Sequence, residues 1–422
     1  PAGGVIAGAA MAQELGVPDL VTFDMGGTSA DFSVIAGSEP RMVTGRQIDG
    51  QPLRLPTLDI ETISAGGGSI AHVDLGGALR VGPQSAGAEP GPACYGQGGK
   101  NATATDAAGV LGILHPGEFL GGEIPLDADL AREAVQNNIA DPLGLSLEAA
   151  ALGIVRVANA GMIQAIRKLS VERGLDIRDF ALLAFGGAGP IYAPFMARDL
   201  DMAEVLVPLN PGVYAAQGLL MSDIRHTTQT AFQRRFLKVE EADLTERLNA
   251  LKDELDQALE RDGIALEDRR FRFLADMRCS GQFHELLVPL SEPGVAGWWQ
   301  PGAVATAFHD HHEQAYGHTD PDAPVEFVNL RVEGFGRTAK AALPQVAAQA
   351  SGEPEPASRR SVCLDADEGF HDTPVYRRED LEPGHVVAGP AVIIQRDTTT
   401  VVLAGQKATV APGQVIRIGA GS

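Results

Sequence analysis

The sequence predicts an α/β protein whose second part, from residue 233 onward, is an α+β region rich in β-strands. Three patterns lead to this prediction. Two strand-like runs at residues 20–25 and 31–35 enclose a glycine turn. A long helical stripe at residues 147–173 precedes a short apolar run at residues 180–185. From residue 361 onward, short strand-like runs alternate with Pro-Gly and Ala-Gly turns.

Composition restricts the class of protein. The chain has 422 residues, enough for two or three domains, and 44% of them are apolar. The 55 Asp and Glu residues outnumber the 33 Lys and Arg residues, so the net charge of −22 disfavours nucleic acid and anionic membranes as partners. We find no run of about 18 apolar residues and no secretory leader. Three widely spaced cysteines, Cys94, Cys279 and Cys363, are typical of a reduced, cytoplasmic protein.

The remaining elements follow from periodicity and turn residues. The region 50–125 is rich in Gly and Pro, and we interpret it as one long ordered excursion with short strands. The segment 341–360 has the composition of a linker or mobile loop. The other predicted helices are 5–15, 191–200 and 239–263, and the other predicted strands are 70–74, 78–81, 204–208, 270–277, 285–290 and 325–333.

The turn between the first two strands predicts a phosphate-binding loop. It reads Gly26-Gly27-Thr28-Ser29, and a second strand follows it. The P-loop and the dinucleotide fold place a helix after their glycines, so this turn belongs to neither. A tight glycine turn exposes successive N–H groups to an anion, and Thr28 and Ser29 add hydroxyl donors. An ordinary Gly-Gly turn explains the same residues, and the motif alone does not decide between the two.

Two carboxylates flank this turn. Asp24 ends the first strand, where a carboxylate can hold Mg²⁺ or orient a nucleophile in phosphoryl transfer. Asp31 lies seven residues further along, and it either supports the hairpin or joins the metal shell. We therefore assign Asp24 a catalytic and metal-binding role, and Asp31 a metal-binding role.

A second glycine turn is the other nucleotide-binding candidate. It comprises Gly186, Gly187, Ala188 and Gly189, between a buried strand and a helix. A helix N-terminus suits a phosphate, and the bare backbone also lets a ribose or a flat base approach. Close packing of the helix on the strand is the alternative explanation for the glycines.

Weaker candidates lie in the excursion. Gly67, Gly68 and Ser69 could contact phosphate or substrate, or simply join two strands. Asp106 either caps the following helix or faces the active cleft.

Two groups of histidines and carboxylates can be interpreted either as metal sites or as ordinary solvent-exposed polar residues. His72 and Asp74 alternate on one strand, where a surface pair is the alternative to a metal site. The segment 309–318 contains four histidines, for which a solvated helix face is the simpler explanation.

The chain resembles the hydantoinase A and 5-oxoprolinase family, which includes subunits of acetone and acetophenone carboxylases. The resemblance covers nearly the whole chain, and residues 81–111 are its most specific part. It is carried by residues 23–31 (FDMGGTSAD), 65–74 (AGGGSIAHVD), 81–99 (VGPQSAGAEPGPACYGQGG), 103–111 (TATDAAGVL), 185–190 (FGGAGP) and 389–395 (GPAVIIQ).

The resemblance implies a fold and an activity. Residues 1–232 would be half of an actin- or sugar-kinase-like (ribonuclease H-like) ATPase domain, and residues 233–422 the family's β-rich C-terminal domain. The first turn would be the second phosphate motif and residues 186–189 the adenosine motif. The activity implied is ATP-dependent, with Mg²⁺ or Mn²⁺, on the carbonyl of a cyclic amide such as a hydantoin or 5-oxoproline, or of a ketone.

The resemblance also bears on assembly. A second, hydantoinase B-type subunit would complete the reaction, within an oligomer. The family has a further, first phosphate motif, also an Asp-x-Gly-Gly-Thr hairpin, in an N-terminal half-domain, whereas this sequence contains only one such hairpin, at residues 24–28. We therefore expect the chain to be part of a longer protein, with reduced or no catalysis alone.

Overall fold

The computed structural model describes residues 1–43, 46–48, 51–53, 57–171, 174–338, 350–365 and 368–420. Their contacts divide the chain into two compact units, Pro1–Leu220 with Ala341–Ser422, and Met221–Lys340. The helices are α1 (Ala2–Leu15), α2 (Ala104–Val110), α3 (Ala128–Val135), α4 (Asp141–Leu143), α5 (Leu147–Val171), α6 (Gly189–Asp199), α7 (Tyr214–Leu220), α8 (Glu241–Arg261) and α9 (Pro301–Tyr316).

Strands occur in both units. The first twelve are β1 (Leu20–Met25), β2 (Ala30–Ala36), β3 (Glu39–Pro40), β4 (Met42–Val43), β5 (Arg46–Ile48), β6 (Gln51–Leu53), β7 (Thr57–Leu58), β8 (Ile60–Ile63), β9 (Ser69–Val73), β10 (Leu79–Ser85), β11 (Ala181–Phe185) and β12 (Glu204–Val207). The others are β13 (Ile224–Arg235), β14 (Arg269–Cys279), β15 (Leu286–Leu290), β16 (Val325–Gly336), β17 (Ser358–Asp365), β18 (Gly369–Arg377), β19 (Val386–Ala388), β20 (Ala391–Ile394), β21 (Thr399–Val402), β22 (Gln406–Val410) and β23 (Ile416–Ala420).

A mixed sheet forms the centre of the first unit. Its strand order is β19-β22-β23-β12-β11-β1-β2-β3, and β8 also pairs with β2. The strand β11 is parallel to both of its neighbours, and every one of its five residues is buried. A continuous apolar run is what a parallel strand covered on both faces requires. The sequence therefore predicted this strand from its apolar residues alone.

Helices cover both faces of this sheet. Leu183 and Phe185 point to the face covered by α1, where they pack with Val5 and Met11. Leu182 and Ala184 point to the opposite face, which α5 and α6 cover. Successive side chains of β11 thus pack against helices on opposite faces of the sheet, which holds the strand in place. The loop that follows β11 carries the second glycine turn.

The helix α5 supports the second face. Ile154, Met162 and Ile166 of the predicted stripe are fully buried, and burial of each such side chain contributes about 1.5–3 kcal/mol. The helix is long and apolar enough to cross a bilayer, but 56% of its most apolar window is buried inside the protein. Core packing therefore accounts for its hydropathy. Residues 172–173, the end of the predicted helix, lie outside the described part.

The second unit is a four-stranded sheet with two helices. Its strand order is β13-β16-β14-β15, and all three pairings are antiparallel. The amphipathic helix predicted at residues 239–263 is α8, and its leucines pack in the core of this unit. These leucines are Leu244, Leu248, Leu251 and Leu255.

The spatial units differ from the predicted segments 1–232 and 233–422. Residues after 350 return to the first unit, where β23 pairs with β12 inside the main sheet. Most of the predicted linker, residues 341–349, lies outside the described residues, while Ser358, Arg359 and Arg360 belong to β17. Local composition does not report this long-range pairing.

Two helical glycines give a matched test of the packing of α1 on α7. A Cβ on Gly218 would lie 1.8 Å from the carbonyl oxygen of Gly3, whereas a Cβ on Gly161 of α5 would meet nothing within 4 Å. We expect Gly218→Ala to lower the free energy of unfolding by about 1–3 kcal/mol or more. Gly161→Ala should raise it by roughly 0.5–1 kcal/mol through helix propensity. Chemical denaturation measures the free energy of unfolding of both variants. An equal change in the two would contradict the close packing of α1 on α7.

Candidate nucleotide-binding site

The first glycine turn is held by backbone hydrogen bonds from a second loop. The N–H groups of Gly67 and Gly68 donate to the carbonyl oxygens of Gly26 and Gly27, at 3.0 and 2.7 Å. The carbonyls therefore point toward residues 66–68. Within the described ranges, the N–H groups of Gly27 and Thr28 have no acceptor, and both residues are exposed. The turn thus offers free N–H donors, as the phosphate-loop interpretation requires.

Residues 66–69 support this turn. A Cβ on Gly66 would lie 2.5 Å from the Thr28 nitrogen, so only glycine permits the approach. The Thr105 N–H and hydroxyl both donate to the Gly67 carbonyl at 2.8 Å. Ser69 is buried, and its hydroxyl accepts from the Gly66 N–H at 2.8 Å. Of the predicted contacts Gly67, Gly68 and Ser69, only Gly67 lines the cavity described below.

The second glycine turn lies directly beside the first. The parallel pairing of β1 with β11 sets Asp24 opposite Phe185, and the Ala188 N–H donates to the Met25 carbonyl at 2.9 Å. Gly186 has a φ of 78°, and its Cβ would lie 2.4 Å from that carbonyl oxygen. Close packing therefore explains Gly186, and Gly189 starts α6 against β1. Gly187 and Ala188 face the cavity.

The two carboxylates lie directly opposite each other across the hairpin. Asp24 and Asp31 are register partners, and opposed like charges repel. Burial, and then the charge of Asp31, raise the pKa of the Asp24 carboxyl above its ordinary value. Asp31 accepts a hydrogen bond from the Thr62 hydroxyl at 2.5 Å. A cation between the two carboxylates would relieve this repulsion. Neither carboxylate, nor Thr28 or Ser29, lines the cavity itself.

A cavity of about 240 Å³ lies between the two turns. One side consists of bare glycine backbone, and the other is largely apolar. Burial raises the pKa of Tyr95 to about 12, with smaller effects from Cys94 and Asp106, so this phenol is a neutral donor at physiological pH. The lining residues are Gly26, Gly27, Gly67, Tyr95, Thr105, Ala108, Leu114, Glu118, Phe119, Leu120, Gly187, Ala188, Ile191, Tyr192, Gln395, Arg396, Asp397, Thr398 and Thr399.

The C-terminal region supplies one wall, which sequence reasoning missed. The Thr398 hydroxyl donates to the Gly187 carbonyl at 3.0 Å, and the Gln395 amide donates to the Leu209 carbonyl at 2.6 Å. The Asp397 carboxylate accepts from the Gly212 N–H at 2.7 Å. The only signal in the sequence was the family stretch 389–395, which ends one residue before Arg396.

Asp106 has a structural role. Its carboxylate is fully buried and accepts from the N–H groups of Ala93, Cys94 and Thr103, and from the Thr103 hydroxyl. Together with Thr103 it forms the capping box of α2. The helix-cap interpretation is therefore the one that this geometry supports. Its neighbour Thr105 lines the cavity instead.

The histidine groups form no metal centre among the described residues. Asp74 accepts from Arg80 and from the turn that follows, rather than pairing with His72. In α9, His312 is buried and its Nδ1 contacts the His318 carbonyl at 2.8 Å. His309 contacts the Thr319 hydroxyl at 2.9 Å.

The hairpin, the parallel strand beside it and the paired glycine turns define one half of an actin-like ATPase fold. The chain belongs to the hydantoinase/oxoprolinase family. The family's sequence model, "Hydantoinase/oxoprolinase", matches residues 1–228. The model "Hydantoinase/oxoprolinase C-terminal domain" matches residues 233–417.

Relatives of known description include hydrolases. Caprolactamase subunit alpha from Pseudomonas jessenii is 36% identical over 98% of this chain and 60% of its own length. The protein 5-oxoprolinase 1 from Arabidopsis thaliana is 34% identical over 91% of this chain and 31% of its own length. The chain therefore spans less than two thirds of each of these relatives.

Solved structures confirm the fold. The crystal structure of ATP-dependent caprolactamase from Pseudomonas jessenii matches 100% of this chain and 62% of that one, with a TM-score of 0.86 and 34% identity. A nucleotide-free structure of acetone carboxylase, from work on ATP-dependent acetone carboxylation, matches 99% of this chain and 60% of that one. Its TM-score is 0.83 and its identity 25%.

The two glycines of the second turn should respond differently to a methyl group. Gly186→Ala places a Cβ against the Met25 carbonyl in a left-handed conformation, so we expect a loss of about 2 kcal/mol or more in unfolding free energy. Gly187→Ala meets only the Asp397 carbonyl oxygen, at 3.4 Å, and should leave stability within about 0.5 kcal/mol. Denaturant titration tests the pair. Equal stability of both variants would contradict the observed contact between the turns.

The pH dependence of stability tests the Asp24 environment. The pKa of Asp24 is higher in the folded protein than in the unfolded chain. The free energy of unfolding therefore falls as the pH rises from the ordinary aspartate pKa through the raised one, because the carboxylate ionises more readily in the unfolded chain. In the presence of a chelator, Asp24→Asn should therefore melt at a higher temperature than wild type at pH 7. The difference should vanish at acidic pH, below the ordinary range.

Asp31→Asn is the matched variant, because it removes only the second cause of the shift. We expect a smaller stabilisation than for Asp24→Asn. A lower melting temperature for Asp24→Asn at pH 7 would show that the carboxylate is stabilised rather than strained.

Proposed function

We propose that this chain is the ATP-binding part of an ATP-dependent enzyme that activates the amide carbonyl of a cyclic substrate by phosphorylation. The observation that supports this most strongly is the shared cavity. Two glycine turns, more than 150 residues apart in sequence, line it together, and one of them offers free N–H groups. Such a wall stabilises the transferring phosphoryl group electrostatically.

A divalent cation fits the carboxylate pair. Asp24 and Asp31 are opposed, the pKa of Asp24 is raised, and carboxylate oxygens are the ligands that Mg²⁺ prefers. These two residues would hold Mg²⁺ or Mn²⁺, directly or through water. The ion would neutralise charge on the phosphates and make the phosphoryl group more electrophilic. We assign Asp24 the additional role of orienting the attacking oxygen.

The chemistry solves a specific problem. An amide carbonyl is a poor electrophile, because nitrogen donates electron density to it. Transfer of the γ-phosphoryl group of ATP to the amide oxygen releases ADP and leaves an electron-poor carbon. Water then adds to this carbon, and the C–N bond breaks to open the ring while the leaving nitrogen takes up a proton. A second water molecule releases phosphate from the acyl phosphate that remains. A hydantoin or a 5-oxoproline-like lactam is the class of substrate that we propose.

Two alternatives share the same cleft. The likeness to acetone carboxylase favours carbonyl activation of a ketone, with carbon–carbon bond formation in place of hydrolysis. Alternatively, this chain binds nucleotide without catalysis. Relatives are named as subunits, and we propose that a second, hydantoinase B-type subunit completes the reaction in a cytoplasmic oligomer.

Nucleotide binding by the chain is tested by calorimetric titration with ATP and Mg²⁺. We expect saturable binding that needs the metal, and at least about tenfold weaker binding by Asp24→Asn, by analogy with other losses of a charged ligand. Asp19→Asn is the matched control, because Asp19 accepts from the Gly37 N–H at the other end of the same hairpin. It should bind as wild type does.

Turnover is tested on the full-length protein with its second subunit. ADP release stimulated by a hydantoin or lactam supports the hydrolase, and release stimulated by a ketone with bicarbonate supports the carboxylase. Metal-independent binding, or unchanged turnover in Asp24→Asn, would refute the role of Asp24.

A further inference from the structure

Arg396 stands out among the residues that line the cavity. It is the one Lys, Arg or His side chain among them. The cavity walls otherwise carry the carboxylates Glu118 and Asp397. Glu118 is ion-paired with Arg360, and Asp397 accepts from the Gly212 N–H. In a chain with a net charge of −22, a polyphosphate needs a local positive charge to enter such a cleft.

The backbone on both sides of Arg396 is fixed. The Gln395 N–H donates to the Thr398 carbonyl at 3.0 Å, and the Asp397 carboxylate is held by the Gly212 N–H. Thr398 in turn anchors the loop to Gly187 of the second glycine turn. The side chain of Arg396 therefore starts from a rigid base beside the nucleotide-binding backbone.

Among the residues that the structure describes, the guanidinium group has one ionic partner, and that pair is exposed. It contacts Glu123 at 2.6 Å, and the two side chains are 76% and 63% exposed. An ion pair exposed to this extent contributes little to stability, because water screens both charges. A phosphate offers the planar guanidinium a bidentate, doubly charged partner instead. A phosphate can therefore replace Glu123 as the partner of Arg396 at little cost in free energy.

We propose that Arg396 binds a phosphate group of the nucleotide in the cavity, and that Glu123 holds its side chain at the mouth until the nucleotide arrives. This inference rests on the proposed nucleotide-binding function and adds a phosphate ligand from the C-terminal region. Arg396 then makes the cleft select nucleoside polyphosphates over nucleosides. The same contact makes binding depend on the C-terminal segment that carries it.

The test compares ATP–Mg²⁺ with adenosine as ligands of the full chain. We expect Arg396→Gln to weaken ATP binding about tenfold or more, as for other charge-assisted contacts, with less than about a twofold change for adenosine. Arg396→Lys should recover part of the loss, because lysine keeps the charge but not the bidentate geometry. Glu123→Gln should bind ATP as tightly as wild type or more tightly.

Arg178→Gln is the matched control. Arg178 is also exposed and pairs with a carboxylate, Asp176, but it does not line the cavity. It should leave both affinities unchanged. Higher salt should weaken ATP binding more in wild type than in Arg396→Gln, because screening acts on the contact that the variant lacks.

The outcomes separate the two proposals. If wild type binds ATP and Arg396→Gln binds it equally well, the Arg396 inference is overturned and the proposed function stands. If Arg396→Gln weakens ATP and adenosine equally, the residue shapes the cleft and does not bind phosphate, which also overturns the inference. If wild type binds neither ligand, both proposals fail for this chain.

Discussion

The parallel pairing of β1 with β11 is the interaction on which the rest of the site depends. It places the ends of two strands side by side, so that the chain leaves both strands at the same edge of the sheet. The Ala188 N–H then bonds to the Met25 carbonyl and locks one glycine turn against the other. Gly186 makes this approach possible, because any Cβ there would overlap Met25 and Asp24. The cavity that both glycine turns line follows from this strand register.

The first turn needs a further constraint to present its N–H groups outward. Residues 66–68 supply it by donating to the carbonyls of Gly26 and Gly27. Thr105 holds that loop from behind, and Asp106 holds the start of α2, from which Thr105 projects. Residues 66–68 and 105–106 thus serve as scaffolding for a turn that comes earlier in the chain. Backbone contact requires a glycine at position 66, because a Cβ there would lie 2.5 Å from the Thr28 nitrogen.

The C-terminal region completes the cleft and belongs to the same compact unit. Its β23 extends the main sheet beside β12, and the segment between β20 and β21 closes over the second glycine turn. The family's hydrolases and carboxylases share this chain's fold from end to end. The proposed first step, activation of a carbonyl oxygen by ATP, would be common to both kinds of enzyme. The second step would then lie with the remainder of each protein.

Sequence reasoning found what is encoded locally. The strand bounds 20–25 matched β1 residue for residue, because the apolar run and its glycine turn are adjacent in the chain. The family resemblance is confirmed, and so is the actin-like fold that it implied.

Sequence reasoning missed what long-range contacts create. Asp397 and Thr398 join the site through hydrogen bonds to residues about 200 positions earlier and place Arg396 beside it, and no local pattern reports such contacts. Close packing requires a glycine at position 186, whereas a Cβ on Gly189 would meet only ordinary contacts, so the nucleotide-binding role of these two residues stays a prediction.

A crystal structure of this chain with Mg²⁺ and a non-hydrolysable ATP analogue tests the central claim most directly. We predict that the phosphates lie against the N–H groups of Gly27 and Thr28, with Gly187 and Ala188 bordering the same molecule. The metal should lie within reach of Asp24 and Asp31. A nucleotide bound elsewhere, or one that contacts only one of the two glycine turns, would contradict the account.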